Sequence, residues 1–134
     1  MASTKLILAV DDDAFFRDIL ARFLENAGYR VEGAGNGMEA LEYLQSGPKP
    51  DLILLDLRME GLDGWRFRQH QLQDPRIADI PVIVLSGVVE LPEATEGLHA
   101  AAYLEKPCDL DLLLSIIQRL IPNQPRSPNG PGLN

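Results

Sequence analysis

The chain has 134 residues, of which 46% are hydrophobic and only 6% aromatic, and its formal net charge is −8. This size and composition are typical of one globular domain with an aliphatic core, which favours helices packed on a sheet over a β-sandwich. The negative charge argues against direct binding of nucleic acid or of anionic membranes, because both are themselves negatively charged.

Cysteine content and the length of the apolar runs bear on the cellular localisation of the protein. A single cysteine, Cys108, excludes an intramolecular disulfide, and no cluster of Cys and His suggests a zinc site. The N-terminal sequence lacks the pattern of a signal peptide, and no apolar run approaches the roughly 20 residues of a membrane span. We therefore expect a cytoplasmic protein.

Apolar runs predict five strands, at residues 6–10, 29–32, 52–55, 82–85 and 100–104. Between them, apolar residues recur at helical spacing, first from Phe15 to Ala27 and then at Met38, Leu41 and Leu44. A third, less regular helix is predicted at residues 65–72. The last predicted helix spans 110–121, with Asp109 as its N-cap and with Leu112, Leu113, Ile116, Ile117 and Leu120 facing inward.

A further helix is due between Ser86 and Tyr103, where Pro92, Gly97 and three glutamates predict that it is short or irregular. Strands that alternate with helices indicate an α/β fold with a parallel sheet, whose strands should be apolar throughout. We expect one domain at residues 1–121, followed at 122–134 by a Pro/Gly-rich disordered tail or truncated linker.

Polar residues follow four of the predicted strands: Asp11 and Asp12, Asp56, Ser86, and Lys106. The carboxyl ends of parallel strands meet at one edge of the sheet, where ligands bind. Three carboxylates that lie close together need a counter-charge, and Mg²⁺ prefers oxygen ligands of this kind. We therefore predict that Asp11 and Asp12 share a magnesium ion, whereas Asp13 caps the following helix.

The arrangement resembles the receiver domain of two-component response regulators over residues 5–121. The matching features are the acidic pair after the first strand, Asp56 within LILLDLRMEGLDG, Ser86 after the fourth strand, and Lys106-Pro107 after the fifth. The resemblance implies a flavodoxin-like, doubly wound, five-stranded parallel sheet of order 2-1-3-4-5. It also implies five helices, of which the composition of this sequence predicts the fourth to be short or irregular.

The resemblance also implies a role for each matching residue. Asp56 would be the phosphoacceptor, taking a phosphoryl group from a histidine kinase or phosphotransfer protein, with self-catalysed transfer and autodephosphorylation rather than conventional enzyme activity. Lys106 would pair with one phosphoryl oxygen, and Ser86 would bind another as Tyr103 turns from exposed to buried. The signal would pass to a downstream protein target or an output domain. The Mg²⁺ ligands would be Asp11, Asp12, Asp56 and the backbone carbonyl of Arg58.

The sequence departs from the family pattern in several places. Glu60 stands where a proline is usual, and His99 stands where a glycine is expected before the fifth strand. The short fourth helix leaves open whether the surface of the fourth and fifth helices is the output face. Arg58 occupies a position that tunes phosphoryl lifetime in the family.

Two other functions remain open at this stage. Asp11 and Asp13 after a hydrophobic strand resemble the motif of haloacid-dehalogenase phosphatases, in which Asp11 would be the nucleophile and Asp13 the acid/base. A pseudo-receiver that binds partners without phosphorylation is the other alternative.

Overall fold

Five parallel strands form a single sheet in which the second strand along the chain lies at one edge, followed by the first, third, fourth and fifth, as predicted. The structure is a computed structural model that describes residues 4–87 and 95–122. The strands are β1 (Leu6–Val10), β2 (Arg30–Ala34), β3 (Leu52–Leu55), β4 (Val82–Ser86) and β5 (Ala102–Glu105).

Within the described ranges there are four helices: α1 (Ala14–Asn26), α2 (Gly37–Ser46), α3 (Gly64–Gln73) and α4 (Leu110–Leu120). Each begins after a side-chain cap, which is Asp13, Asn36, Asp63 or Asp109. Most of the predicted short helix falls on residues 88–94 and most of the predicted tail on 123–134, and both stretches lie outside the described residues. None of the described helices is long and apolar enough to cross a membrane.

The core lies on both faces of the sheet. One cluster packs side chains of α2 and α3 against it, including Leu44 and Phe67. The other packs α1 and α4, including Leu24 and Ile117. The inner strands β1, β3 and β4 are buried along their whole length, but the outer strands β2 and β5 alternate or are largely exposed. The prediction of continuous apolar burial is therefore wrong for the two edge strands, because only one side of an edge strand has a neighbour.

The helical stripes predicted from the sequence are wider than the faces that are buried. Phe15 is 75% exposed, Met38 54% and Leu112 49%, although their spacing predicts that they face inward. Each of these three lies in the first turn of its helix, whereas Leu120, also predicted to face inward, is 37% exposed in the last turn of α4. In a parallel sheet with helical crossovers, the first turn of a helix follows the end of a strand. It lies beyond the edge of the sheet, whose side chains cover the rest of the helix.

Two buried polar side chains on α3, Arg68 and Gln71, form a hydrogen-bond network that the sequence did not predict. They have the exposed fractions of 5% and 0% typical of core residues. The bonds run from Arg68 Nε to Leu98 O (2.7 Å), Arg68 Nη2 to His99 O (3.0 Å), Arg68 Nη1 to Gln71 Oε1 (2.7 Å), and Gln71 Nε2 to Ile77 O (2.9 Å) and Ile80 O (3.0 Å). The network satisfies both side chains and ties two loops to one helix.

His99 has a left-handed backbone conformation. Its φ is +52°, in the left-handed region that is costly for residues with a Cβ. The carbonyl of His99 accepts a hydrogen bond from Arg68 Nη2. The buried guanidinium therefore helps to hold a backbone conformation that histidine does not favour by itself.

We predict that Gln71→Leu destabilises the protein by about 2–4 kcal/mol. The substitution removes the donor to the carbonyls of Ile77 and Ile80 and leaves Arg68 Nη1 without its acceptor. Urea denaturation measures the change, and Gln69→Leu at an exposed position of the same helix is the matched control. Equal denaturation midpoints for the two variants would contradict the role of the network.

Candidate functional site

The backbone of the sheet fixes the polar residues that follow its strands. Three hydrogen bonds extend the strand pairing by one residue: Asp11 N to Ala34 O (3.0 Å), Asp56 N to Val10 O (2.9 Å) and Lys106 N to Ser86 O (2.7 Å). The residues predicted from the sequence therefore sit on the ordered end of the sheet rather than on free loops. Their side chains share the carboxyl edge.

Three carboxylates meet at this edge, as the sequence predicted. Asp11, Asp12 and Asp56 each offer an oxygen within 4.8 Å of the other two. Asp11 and Asp56 are buried, and Asp12 is exposed. A set of oxygen donors that is partly buried and open to solvent on one side suits a hard divalent cation that retains some of its water, such as Mg²⁺.

Lys106 lies against the same carboxylates. Its Nζ is 2.7 Å from Asp11 Oδ2 and 3.7 Å from Asp56 Oδ2. Burial lowers the pKa of Lys106, but the hydrogen bond that its ammonium donates to Asp11 and the attraction of Asp11, Asp56 and Asp13 outweigh this effect, so the net pKa is raised. The ammonium is therefore charged at physiological pH and offsets part of the acidic cluster.

Burial and neighbouring charge both act against the ionisation of Asp56. Burial and the neighbouring charge of Asp11 raise the pKa of Asp56 to about 6, with a smaller contribution from Asp12. Lys106 and the backbone N–H of Arg58, whose nitrogen is 3.4 Å from Asp56 Oδ1, act in the opposite direction. The edge thus carries an excess of negative charge that a proton or a cation would relieve.

Asp13, the third aspartate of the run, caps α1 as predicted. Its Oδ1 accepts hydrogen bonds from Phe15 N (3.0 Å) and Phe16 N (3.1 Å). Its own N–H donates to Asp11 Oδ1 (2.9 Å). Since Asp13 serves the helix and Asp11 is engaged at both oxygens, by Asp13 and Lys106, this geometry argues against a phosphatase that uses the pair as acid/base and nucleophile.

The first residue of α3 lies directly against the backbone of the acceptor loop. A Cβ added to Gly64 would come within 2.4 Å of Asp56 O and 2.6 Å of Leu57 Cα, so only glycine fits. The guanidinium of Arg58 lies 5.3 Å from the centre of the Trp65 ring, next along the helix. Sequence reasoning had not singled out Gly64, although the Asp-Gly pair before a helical stretch is a signal of such a close turn.

Ser86 and Tyr103 lie on β4 and β5. Ser86 is 5% exposed at the end of β4 and pairs with Glu105 in the strand register. Tyr103 is 45% exposed, and its hydroxyl accepts from Ala100 N (3.3 Å) and donates to Thr95 O (3.4 Å). Tyr103 is therefore outward-facing and tethered to the segment that precedes its own strand.

The chain is similar to known proteins over most of its length. Residues 7–118 match the family model of the response regulator receiver domain. The DNA-binding dual master transcriptional regulator RpaA of Synechocystis sp. is 36% identical over 124 residues, which cover 91% of this chain and 51% of RpaA. The chain spans about half the length of such curated relatives.

Solved structures give the same result. A response regulator receiver protein from Pseudomonas putida has a TM-score of 0.82 at 32% identity, over 89% of this chain and 99% of that one. The response regulator protein TrrA from Thermotoga maritima, in complex with Mg²⁺-BeF, has a TM-score of 0.78 at 30% identity, over 88% of this chain and 100% of that one.

We predict that Asp56→Asn stabilises the metal-free protein at neutral pH. Because the pKa of Asp56 is raised on folding, the folded state favours the protonated carboxyl and loses stability as the pH rises through about 6. Asparagine does not ionise, so the variant does not lose this stability. The free energy of unfolding in EDTA at neutral pH should increase by about 1–3 kcal/mol, and the gain should disappear below about pH 4.

Chemical denaturation across this pH range, in EDTA, measures the effect. Asp79→Asn is the control, because Asp79 is an exposed carboxylate paired at 3.2 Å with an exposed lysine, Lys49, and should contribute less than about 1 kcal/mol. Equal stability of the parent and Asp56→Asn at neutral pH would contradict the prediction.

Proposed function

Because this chain belongs to the response regulator receiver domain family, we propose that Asp56 accepts a phosphoryl group from a phosphohistidine of a histidine kinase or phosphotransfer protein. Receiver domains are signalling domains of two-component systems, phosphorylated on aspartate, rather than conventional enzymes. The observation that carries the proposal is the position of Asp56, buried at a strand end within 4.8 Å of two other carboxylate oxygens and beside Lys106.

In the proposed transfer, a carboxylate oxygen of Asp56 attacks phosphorus as the bond to the histidine nitrogen breaks. With a pKa of about 6, Asp56 is mostly ionised at neutral pH, as a nucleophile must be. The acyl phosphate carries nearly two negative charges in place of the single charge of the carboxylate, at an edge that is already acidic. Lys106, 3.7 Å from Asp56 Oδ2, is within reach of a phosphoryl oxygen, and the Ser86 hydroxyl would bind another.

We propose that this edge holds Mg²⁺. When bound, the ion would offset the charge on the carboxylates and on the phosphoryl oxygens. Two observations support the assignment: the three carboxylates converge within 4.8 Å, and the similar protein TrrA was solved with Mg²⁺-BeF. The proposed ligands are Asp11, Asp12, Asp56 and the backbone carbonyl of Arg58.

The proposed switch uses Ser86 and Tyr103. A phosphoryl oxygen would draw the Ser86 hydroxyl toward Asp56, and Tyr103 would turn inward from its present half-exposed position. That turn would break the contacts of its hydroxyl with Thr95 and Ala100, so the segment before β5 would move as well. The phosphoryl group would later be lost by self-catalysed hydrolysis, at a rate that Arg58 helps to set.

The changed surface would act on a downstream protein or on an output domain, in the cytoplasm. RpaA is named as a DNA-binding protein, and this chain spans 51% of it. For the chain itself, the net charge of −8 supports contact with protein rather than with DNA or a membrane. We assign the receiver to residues 1–121 and treat 122–134 as a tail or linker.

We predict that acetyl phosphate with Mg²⁺ labels Asp56 and no other aspartate. Peptide mapping by mass spectrometry identifies the site, Asp56→Asn should abolish the label, and Asp79→Asn at the exposed Lys49 pair should retain it. A label on Asp11 would instead support the phosphatase, and absence of any label would support the pseudo-receiver.

We predict that Asp12→Asn weakens Mg²⁺ binding about tenfold or more, because it removes one of the converging carboxylates. Trp65 fluorescence follows the titration, since Arg58 lies 5.3 Å from its ring and beside the acceptor. Asp13→Asn is the control, because it removes a nearby charge while asparagine remains a good helix cap. Equal affinities for the parent and Asp12→Asn would contradict the metal assignment.

A further inference from the structure

Lys106 contacts an aromatic ring as well as two carboxylates. Its Nζ lies 4.7 Å from the centre of the Phe16 ring, on a side chain that is only 19% exposed. We propose that Phe16 is a positioning residue for Lys106, whose ring holds the ammonium at the edge of the acidic cluster, within reach of a phosphoryl group on Asp56. This inference rests on the function proposed above for Lys106.

The sequence places Phe16 firmly. Its backbone N–H donates to the capping carboxylate of Asp13, which fixes it in the first turn of α1. Its side chain packs against the core cluster between the sheet and helices α1 and α4. Phe15, the preceding residue, is 75% exposed. Two adjacent phenylalanines therefore differ: one ring is anchored beside Lys106, and the other faces solvent.

An aromatic face can hold the ammonium in a way that the carboxylates cannot. Lysine is a point charge on a flexible four-carbon chain, so its position depends on the groups around it. Asp11, its closest partner at 2.7 Å, is also one of the proposed metal ligands. When Mg²⁺ is bound, the Asp11 carboxylate would interact with the metal as well as with Lys106. The Phe16 ring attracts the cation through its quadrupole, carries no net charge and neither binds the metal nor repels a phosphoryl group.

The contact can be observed directly in the metal-free protein by NMR. The ring current of Phe16 should shift the Hε resonances of Lys106 upfield in the parent. Phe16→Leu should abolish the shift, whereas Phe16→Tyr, which keeps an aromatic face, and Phe15→Leu should retain it. Identical Lys106 resonances in the parent and Phe16→Leu would overturn the inference.

The functional test is a double-mutant cycle on the rate of Asp56 phosphorylation by acetyl phosphate at saturating Mg²⁺. Phe16→Leu should slow the reaction by about 3- to 30-fold in the parent, the range expected for a cation–π contact of a largely buried ammonium. In a Lys106→Met background the same substitution should have almost no effect. Phe16→Tyr should restore most of the rate, and Phe15→Leu should leave it unchanged.

The outcomes separate this inference from the proposed function. If Phe16→Leu slows both backgrounds equally, Phe16 acts through packing and the inference is wrong. If Lys106→Met is slow but Phe16→Leu is normal, only the inference is overturned. If Lys106→Met itself reacts at the parental rate, the role proposed for Lys106 fails, and the inference fails with it. Mg²⁺ affinity, read from Trp65 fluorescence, should be the same in the parent and in the two Phe16 variants, which shows that the site is intact.

Discussion

The ion pair between Lys106 and Asp11 spans the carboxyl edge of the sheet and offsets part of the negative charge of the site. The two residues are 95 positions apart, and their strands β5 and β1 are separated by β3 and β4. The lysine side chain therefore reaches across the end of the sheet and passes within 3.7 Å of Asp56. Without this cation, two buried carboxylates would face each other with no compensating charge. In the transfer proposed for Asp56, the same cation would pair with the phosphoryl group.

The parts of the fold predicted from sequence are those in which local pattern and tertiary environment agree. Strands β1, β3 and β4 are continuous apolar runs because both of their faces are covered, and their ends could be located to within about one residue. The convergence of Asp11, Asp12, Asp56 and Lys106 followed from topology, because strand ends in a parallel sheet share an edge. In a parallel sheet, residues that follow different strands in the sequence are therefore close together in space.

Other features depend on contacts that the pattern does not encode. Arg68 and Gln71 look like ordinary surface residues of a helix, yet both are buried. Arg68 binds a carbonyl 30 residues away at Leu98, and Gln71 binds one at Ile77 in the loop that follows the helix. Phe15 and Phe16 have the same chemistry and adjacent positions, and only the end of the sheet decides which ring is covered. The cation–π contact joins Phe16 to Lys106, which are far apart in the sequence. The local sequence around either residue does not predict it.

The network of Arg68 and Gln71 has a consequence for cooperativity. A single helix holds carbonyls at Ile77 and Ile80 and, about thirty residues from Arg68, at Leu98 and His99. Local opening of either loop would leave buried polar groups on α3 without hydrogen-bond partners. Opening of a loop is therefore costly in free energy while the helix stays folded. Slow amide hydrogen exchange should therefore extend from the sheet into these connections. Movement of the segment before β5 is therefore most restricted at Leu98 and His99, whose carbonyls Arg68 binds.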